Sequence, residues 1–279
     1  MASADSYIAV VTGASSGIGE ATARRLAREP GMKLVLVARR QDKLEQLADE
    51  LGRPPATPAA ATVVPVDLTD PGAPAQVRAA IEREYGGALH LLVNNAGARW
   101  AGTFGESGWD NVERHMKIDF DAQVRLTEAL LPLLRATAQS APAKKPAIVN
   151  VSSTSGRVAR PNGGGYSAAK FALIGWSDAL AAEERGTGVH VGLVLPGFIL
   201  TEGFPATELR ANPLTRLIVS RPEVVAEAIV ECGLKGKAER YAPRYYWLAA
   251  AARVLAPRVV ARAVAGGAFT TATNPDRRD

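Results

Sequence analysis

The sequence predicts an α/β fold, a doubly wound, mainly parallel seven-stranded sheet with helices on both faces. Three observations predict it. Short β-branched apolar runs alternate with amphipathic segments at intervals of about 25–30 residues, the rhythm of parallel βαβ units with right-handed crossovers. The first of these runs passes straight into a glycine-rich turn and then a helical pattern. Residues capable of chemistry gather where strands end, which is where open α/β sheets bind ligands.

The bulk numbers fit this class and exclude others. A chain of 279 residues with 47% hydrophobic content can bury one large core. No run of about 20 apolar residues is present to span a bilayer, and residues 1–6 are short and polar, so a cytoplasmic protein is expected. Cys232 is the only cysteine, which rules out an intrachain disulfide and a cysteine-based metal site. His90, His115 and His190 have spacings that suit no ligand set; they read as surface or strand-edge residues, and no metal is expected. The net charge of +5 belongs to residues 240–279, with seven arginines and two acids, so the body of the chain is neutral. Nucleic acid is not an expected partner.

In order, residues 7–11 form a buried strand that runs into Thr12-Gly13-Ala14-Ser15-Ser16-Gly17-Ile18-Gly19, and a helix follows over 20–29. Glycines there let a pyrophosphate approach the backbone, and the helix N-terminus offers oriented N–H groups. This is the setting of a dinucleotide site, although Gly-x3-Gly-x-Gly differs from the commoner Gly-x-Gly-x-x-Gly. The second strand, 33–38, ends at Ala38 and is followed by Arg39-Arg40. An acid at that point would accept from a ribose 2′-hydroxyl, whereas two guanidiniums suit a 2′-phosphate. NADP(H) is therefore favoured, with NAD(H) as the alternative.

A helix over 41–51 stops at Gly52, residues 53–61 are a Pro/Ala-rich loop, and a third strand, 62–66, leads to Asp67-Leu68. A helix over 73–85 precedes a fourth strand, 89–93, which delivers Asn94-Asn95-Ala96-Gly97. A loop follows, then one long helical pattern over 109–134 with Leu126, Leu130, Leu131 and Leu134 inward, and a connector over 136–145. The fifth strand, 147–151, ends in Ser152-Ser153; Gly163-Gly164-Gly165 is read as a loop, and a helix begins at Tyr166. The sixth strand, 189–195, meets Pro196-Gly197 and an irregular segment to Ser220; a helix over 222–232 and a short seventh strand, 240–243, close the domain.

Tyr166 and Lys170 lie one helical turn apart on the same face. A fixed ammonium beside a phenol favours its ionised form, so such a pair can give or take a proton near neutrality. An ordinary surface pair would have the same spacing, and the surrounding motifs decide between the two.

Together these residues resemble the short-chain dehydrogenase/reductase family, with its Rossmann-like fold. The resemblance rests on residues 12–19, Asp67-Leu68, Asn94-Asn95-Ala96-Gly97, Ser153, Tyr166-x3-Lys170 and Pro196-Gly197-x3-Thr201, in that order along residues 7–243. It implies an oxidoreductase in which Tyr166 is the general acid/base, Ser153 holds the substrate oxygen, and Lys170 supports Tyr166 and bonds the nicotinamide ribose. It also implies that Gly13, Ser15, Ser16, Gly17, Ile18 and Gly19 hold the diphosphate. Arg39, from its own reading, would meet the 2′-phosphate. Asp67 and Leu68 would flank the adenine; Asn94, Ala96 and Gly97 would line the adenosine ribose and diphosphate side. Pro196, Gly197, Ile199 and Thr201 would fix the nicotinamide end. A homodimer or homotetramer is a further implication.

One position departs from the family pattern. Asp119 stands where an Asn commonly serves a water-linked proton relay to the lysine. An ionised carboxylate accepts but does not donate, and it would compete with Tyr166 for the Lys170 ammonium. Either the relay runs through Asp119 or Asp119 faces a local backbone break.

Residues 1–243 thus read as a single domain, with a substrate loop near 198–221, and residues 244–279 as a basic amphipathic helical extension. That extension could cap the substrate cleft, pack on a neighbouring subunit or rest on an anionic membrane surface. Trp100, Phe104, Trp109, Val158, Phe198 and Phe204 fall on segments expected around the mouth, which suggests a bulky apolar alcohol or ketone. The competing class is a non-catalytic nucleotide-sensing or scaffold protein that keeps the fold; such a protein has no need of Ser153, Tyr166 and Lys170 together.

Overall fold

The structure, a computed structural model, describes residues 6–53, 60–141, 144–202 and 218–265. Its strands are β1 (Tyr7–Thr12), β2 (Met32–Ala38), β3 (Ala61–Pro65), β4 (Leu91–Asn94), β5 (Ala147–Val151), β6 (His190–Pro196), the short β7 (Phe198–Ile199) and β8 (Val219–Ser220), and β9 (Glu239–Ala242). Seven of them form one sheet in the order β3-β2-β1-β4-β5-β6-β9, and every neighbouring pair is parallel. The order reverses between β1 and β4, so a crevice opens at the carboxyl ends of those strands. Strands buried on both faces need near-continuous apolar runs, and residues 8–11 are fully buried.

The helices are α1 (Gly17–Leu26), α2 (Gln41–Leu51), α3 (Ala73–Tyr85), α4 (Phe104–Met116), α5 (Ala122–Ser140), α6 (Gly164–Glu183), α7 (Pro222–Gly233), α8 (Trp247–Leu255) and α9 (Pro257–Ala265). One face of the sheet packs on α1, α2 and α7 through Leu26, Leu44, Leu47 and Ile229. The other packs on α3, α5 and α6 through Val77, Ile81, Leu126, Leu130 and Leu180. Leu126, Leu130 and Leu134 are fully shielded from solvent. Each contributes about 1.5–3 kcal/mol by burial, and truncating Leu130 to Ala would cost about 2–5 kcal/mol.

Five local expectations need correction. The long helical pattern is not one helix: a π-helical turn, Lys117–Asp121, separates α4 from α5, and Gly108 leaves the helical region with φ 56°. Helix α5 runs on to Ser140, so part of the expected connector is helical. Helix α6 starts at Gly164, before Tyr166, so two of the three loop glycines belong to it. His115 is fully buried, because the inserted turn leaves α4 packed against α6 instead of continuing outward. Strands β7 and β8 pair within the segment expected to be irregular. Residues 203–217 of the substrate loop, Phe204 among them, and residues 266–279 of the tail lie outside the described residues.

Candidate active site

The carboxyl ends of β1, β4, β5 and β6 deliver residues to one pocket. Ile18, Gly97, Ser153, Pro196, Gly197, Ile199 and Thr201 line it, together with Asp119, Tyr166 and Lys170 from the helical layer. Tyr166, Lys170 and Ser153 thus line one pocket. The Lys170 ammonium lies 5.7 Å from the centre of the Tyr166 ring. Ser153 is buried, and its Oγ accepts from the Ser155 amide at 3.1 Å, which leaves its own hydroxyl proton to donate elsewhere.

Asp119 sits in the π-helical turn. The extra residue of that turn rotates the side chain inward, and such turns occur often at functional sites. Its Oδ1 is 3.2 Å from Lys170 Nζ, with both side chains buried. Lys170 Nζ also donates to the Val151 carbonyl at 3.1 Å. The contact is an ion pair more than an aligned hydrogen bond, since neither Asp119 oxygen has a partner in good hydrogen-bond geometry. Burial pushes the Asp119 carboxyl up to about 6; the Lys170 charge and the Ala98 amide act in the opposite direction and do not overcome it. Gly97 makes room for the pair: a Cβ there would overlap Asp119 Oδ1 and lie 3.5 Å from Lys170 Nζ.

Beneath Tyr166 stands His115. The Trp100 amide donates to its Nε2 at 3.1 Å, so Nδ1 carries the proton and donates to the Asn111 carbonyl at 2.6 Å. Its ring meets the Tyr166 ring edge-on with centroids 5.9 Å apart. Burial pulls the imidazole down to about 4, so it is neutral near pH 7 and acts as a fixed strut.

The glycine loop fits a dinucleotide diphosphate. Gly13 and Gly17 hold φ of +66° and +58°, where a side chain is strained, and Ser16 caps α1 without a side-chain bond to its first amides. Thr201 packs on this loop, 3.1 Å from where a Gly17 Cβ would stand. Beyond β2, Arg39 is exposed and lies 3.8 Å from the Asp67 carboxylate. Arg40 instead turns to the loop: it donates to Ser15 Oγ at 3.3 Å and pairs with Glu202 at 3.2 Å. Asp67 Oδ1 accepts from the Thr69 amide and hydroxyl, holding the turn after β3.

Some expected side chains face elsewhere. The Asn94 side chain is buried and donates to Thr127 Oγ1 and Asn150 Oδ1, each at 2.9 Å, tying β4 to β5 and α5. Its neighbour Asn95 lines the pocket instead and donates to the Thr12 carbonyl. Leu68 is in the core, and Ala96 presents its amide to Thr12 Oγ1 and its carbonyl to Gln123. Of the expected mouth residues, Phe198 lines the pocket, Val158 lines an adjoining cavity, Trp100 stacks under Arg114, and Phe104 and Trp109 are exposed on α4.

Sequence reasoning missed four site residues: His115, Arg99, Arg160 and Tyr246. Arg99 and Arg160 line the same pocket. The position of Arg99, two residues after the strand-end motif, was a signal for it. Tyr246, just before α8, packs on Gly197 so closely that a Cβ there would overlap its ring. Its hydroxyl donates to the Ile218 carbonyl at 2.8 Å and accepts from the Phe198 amide at 3.3 Å.

A parallel sheet with this strand order, a glycine loop at a helix N-terminus and a pocket lined by Ser153, Tyr166 and Lys170 define the class of Rossmann-like α/β proteins to which the chain belongs. The sequence model described as short chain dehydrogenase matches residues 7–210, and the chain belongs to the short-chain dehydrogenase/reductase family. Oxidoreductase UcpA of Escherichia coli (strain K12) is 36% identical over 209 residues, 74% of each chain. Dehydrogenase/reductase SDR family member 7B of Mus musculus is 36% identical over 195 residues, 70% of this chain; the match spans 58% of that relative's length. A solved structure of a putative NAD(P) dependent gluconate 5-dehydrogenase from Beutenbergia cavernae with bound NADP superposes with a TM-score of 0.73 at 27% identity, covering 88% of this chain and 100% of the other. Among the described residues no helix is long and apolar enough to cross a membrane, and no group of metal-binding side chains gathers.

Proposed function

We propose that the protein is an NADP(H)-dependent oxidoreductase that interconverts an alcohol and a ketone or aldehyde, with Tyr166 as general acid/base. The observation that carries this reading is the meeting of Ser153, Tyr166 and Lys170 in one pocket whose far end is the glycine loop. The residues of that loop would hold the diphosphate, with Asp67 and Leu68 at the adenine. Asn95, Ala96 and Gly97 would line the next part of the groove, and Pro196, Gly197, Ile199 and Thr201 the nicotinamide end. When bound, the nicotinamide supplies or accepts the hydride.

The chain's own residues do the rest. Ser153 and Tyr166 donate to the carbonyl oxygen and stabilise the charge that develops there; Tyr166 then passes its proton to that oxygen. Lys170, held by Val151 and Asp119, keeps a cation beside the phenol and links it to a proton supply. Arg39 and Arg40 support NADP(H) over NAD(H), since both stand at the end of β2 without a competing acid at position 38. The decisive experiment is NADPH and NADH consumption across ketone classes with Tyr166→Phe as control. Loss of about 10²–10⁴ in turnover is expected for that variant, and undiminished activity overturns the mechanism.

Residues 1–243 form the catalytic domain in this reading and residues 244–279 its extension, of which residues 244–265 are described. The outer faces of α8 and α9 expose Trp247, Val254, Leu255 and Val259 beside Arg253 and Arg258. That combination supports contact with an anionic membrane surface. Salt-reversible sedimentation with phosphatidylserine vesicles is expected; no binding at low salt removes the idea. A homodimer or homotetramer is expected by light scattering.

A further inference from the structure

The extension beyond β9 carries an apolar helical hairpin that the rest of the described chain does not cover. Helices α8 and α9 are nine residues each, and no residue of either is buried. Leu248 and Ala249 of α8 and Val260 and Ala263 of α9 nevertheless line one cavity, of about 400 Å³, with Val158 and Ile218 of the domain body. An apolar helix stripe normally faces a core, and a contiguous apolar concavity marks a place where something binds. Here the space between hairpin and body is large enough to take a small molecule.

Continuity with the pocket says which molecule. Phe198 lines both this cavity and the pocket of Ser153, Tyr166 and Lys170, so the two spaces meet at its ring. The hairpin is fixed over that junction by Tyr246, whose hydroxyl donates to the Ile218 carbonyl at 2.8 Å and accepts from the Phe198 amide at 3.3 Å. Charged side chains at the border are engaged with the protein. Arg157 donates to Glu239 at 2.9 Å, and Arg160 donates to Ser155 Oγ at 3.3 Å with its guanidinium 4.4 Å above the Phe198 ring. What the chamber offers a ligand is hydrocarbon, so it selects by apolar area.

We propose that the hairpin of α8 and α9 is the tail-binding half of the substrate site, and that the substrate is a ketone with a saturated hydrocarbon tail, or the corresponding secondary alcohol. Its carbonyl meets Ser153 and Tyr166, and its tail passes the Phe198 ring into the chamber. This rests on the carbonyl-reduction reading above and sharpens its substrate. In the reductive direction the carbonyl carbon receives a hydride from the reduced nicotinamide, the carbon–oxygen π pair takes the Tyr166 proton, and the tail is unchanged. Ala249 and Ala263 are then specificity-determining residues, because their small side chains leave the chamber its depth.

The test uses the full chain and the series from 2-butanone to 2-octanone, with NADPH and with NADH. Each added methylene is expected to raise kcat/KM by about three- to fourfold while the chamber fills. Ala249→Trp and Ala263→Trp, made separately on the two helices, should each lower the octanone-to-butanone ratio by at least about tenfold. Ala261→Trp, exposed on α9 and outside the cavity lining, should leave that ratio as it is. A ratio near one in the parent, or one unchanged in both chamber-filling variants, overturns the proposal. The hairpin then covers its face with a second copy of the chain, read by light scattering, or with a vesicle surface. Calorimetry of 2-octanone in the presence of NADP⁺, a pair with no hydride to exchange, reads the chamber without turnover. If 2-octanone binds there and Ala249→Trp weakens it, yet no carbonyl compound is reduced, the reaction reading fails and the chamber stands. If ketones are reduced without regard to tail length, the chamber fails and the reaction stands.

Discussion

Asp119 and Lys170 form a buried ion pair, 3.2 Å between Oδ1 and Nζ, directly behind Tyr166. A π-helical turn places the carboxylate there, and Gly97 leaves the space it occupies. The pair partly neutralises the cation that supports the proposed acid/base, and its carboxyl titrates at about 6, within the working range of an enzyme. The first prediction follows. The pH profile of kcat/KM should show a break near pH 6 that Asp119→Asn abolishes. That variant leaves the ammonium un-neutralised beside the phenol, so half-maximal alcohol oxidation should move to lower pH by up to about one unit. An unchanged turnover and pH profile removes Asp119 from the relay.

Acid stability tests the buried histidines. Burial lowers His115 and His90 from 6.5 to about 4 in the folded chain. A depressed folded pKa gives stability that is complete above about pH 6.5 and is lost as pH falls toward 4. Each shift corresponds to on the order of 3 kcal/mol at most. Asp119 has the opposite sign: its folded value is raised from 3.8 to about 6, so its share of stability is complete below pH 3.8 and is lost as pH rises through 6. Two histidines outweigh one carboxyl, so urea midpoints should fall between pH 6.5 and 4. His90→Gln should flatten that fall, and Asp119→Asn should steepen it.

His115 also carries geometry. His115→Phe would strand the Trp100 amide. A loss of about 1–3 kcal/mol in unfolding free energy is expected, the cost of one orphaned buried group. Turnover should fall more than substrate affinity, because Tyr166 loses its edge contact.

The proposed preference for NADP(H) rests on the end of β2. Arg39 is the exposed cation there, and Arg40 is tied to Ser15 and Glu202. The double change Arg39→Ser and Arg40→Ser should lower kcat/KM for NADPH by about 10- to 100-fold and leave NADH within a few-fold. Equal losses with both cofactors would mean that the arginines support the glycine loop and do not read the phosphate.

Tyr246 joins the tail to the Pro196-Gly197 turn. Tyr246→Phe removes the bond to Ile218 and should cost about 1 kcal/mol. Tyr246→Ala also empties the space against Gly197, so it should raise the KM for the cofactor as well as lower the melting temperature. A melting change with no effect on KM would confine Tyr246 to a structural role.

Much of the fold was legible because its determinants are local. Parallel strands need unbroken apolar runs, and each crossover helix repeats its own period, so the alternation itself implies the doubly wound sheet. Tyr166 and Lys170 were legible because four residues make about one helical turn, and the glycine loop because a strand and a helix flank it. Asn94 and Asn95 show the limit. The two adjacent amides point to opposite sides of β4, so one knits the core and the other lines the pocket, and pattern alone could not choose between them.

By itself the sequence determined the alternation of strands and helices, the glycine loop and the one-turn spacing of Tyr166 and Lys170, since each rests on local pattern within one βαβ unit. Only the tertiary structure decided that Asp119 turns inward to Lys170, that His115 lies under Tyr166, and that Arg99, Arg160 and Tyr246 converge from three separate segments. The reason is physical. A helical period does not reveal an inserted π turn, and the burial that gives Arg160 or Asp119 its chemistry exists only once distant segments have closed over it.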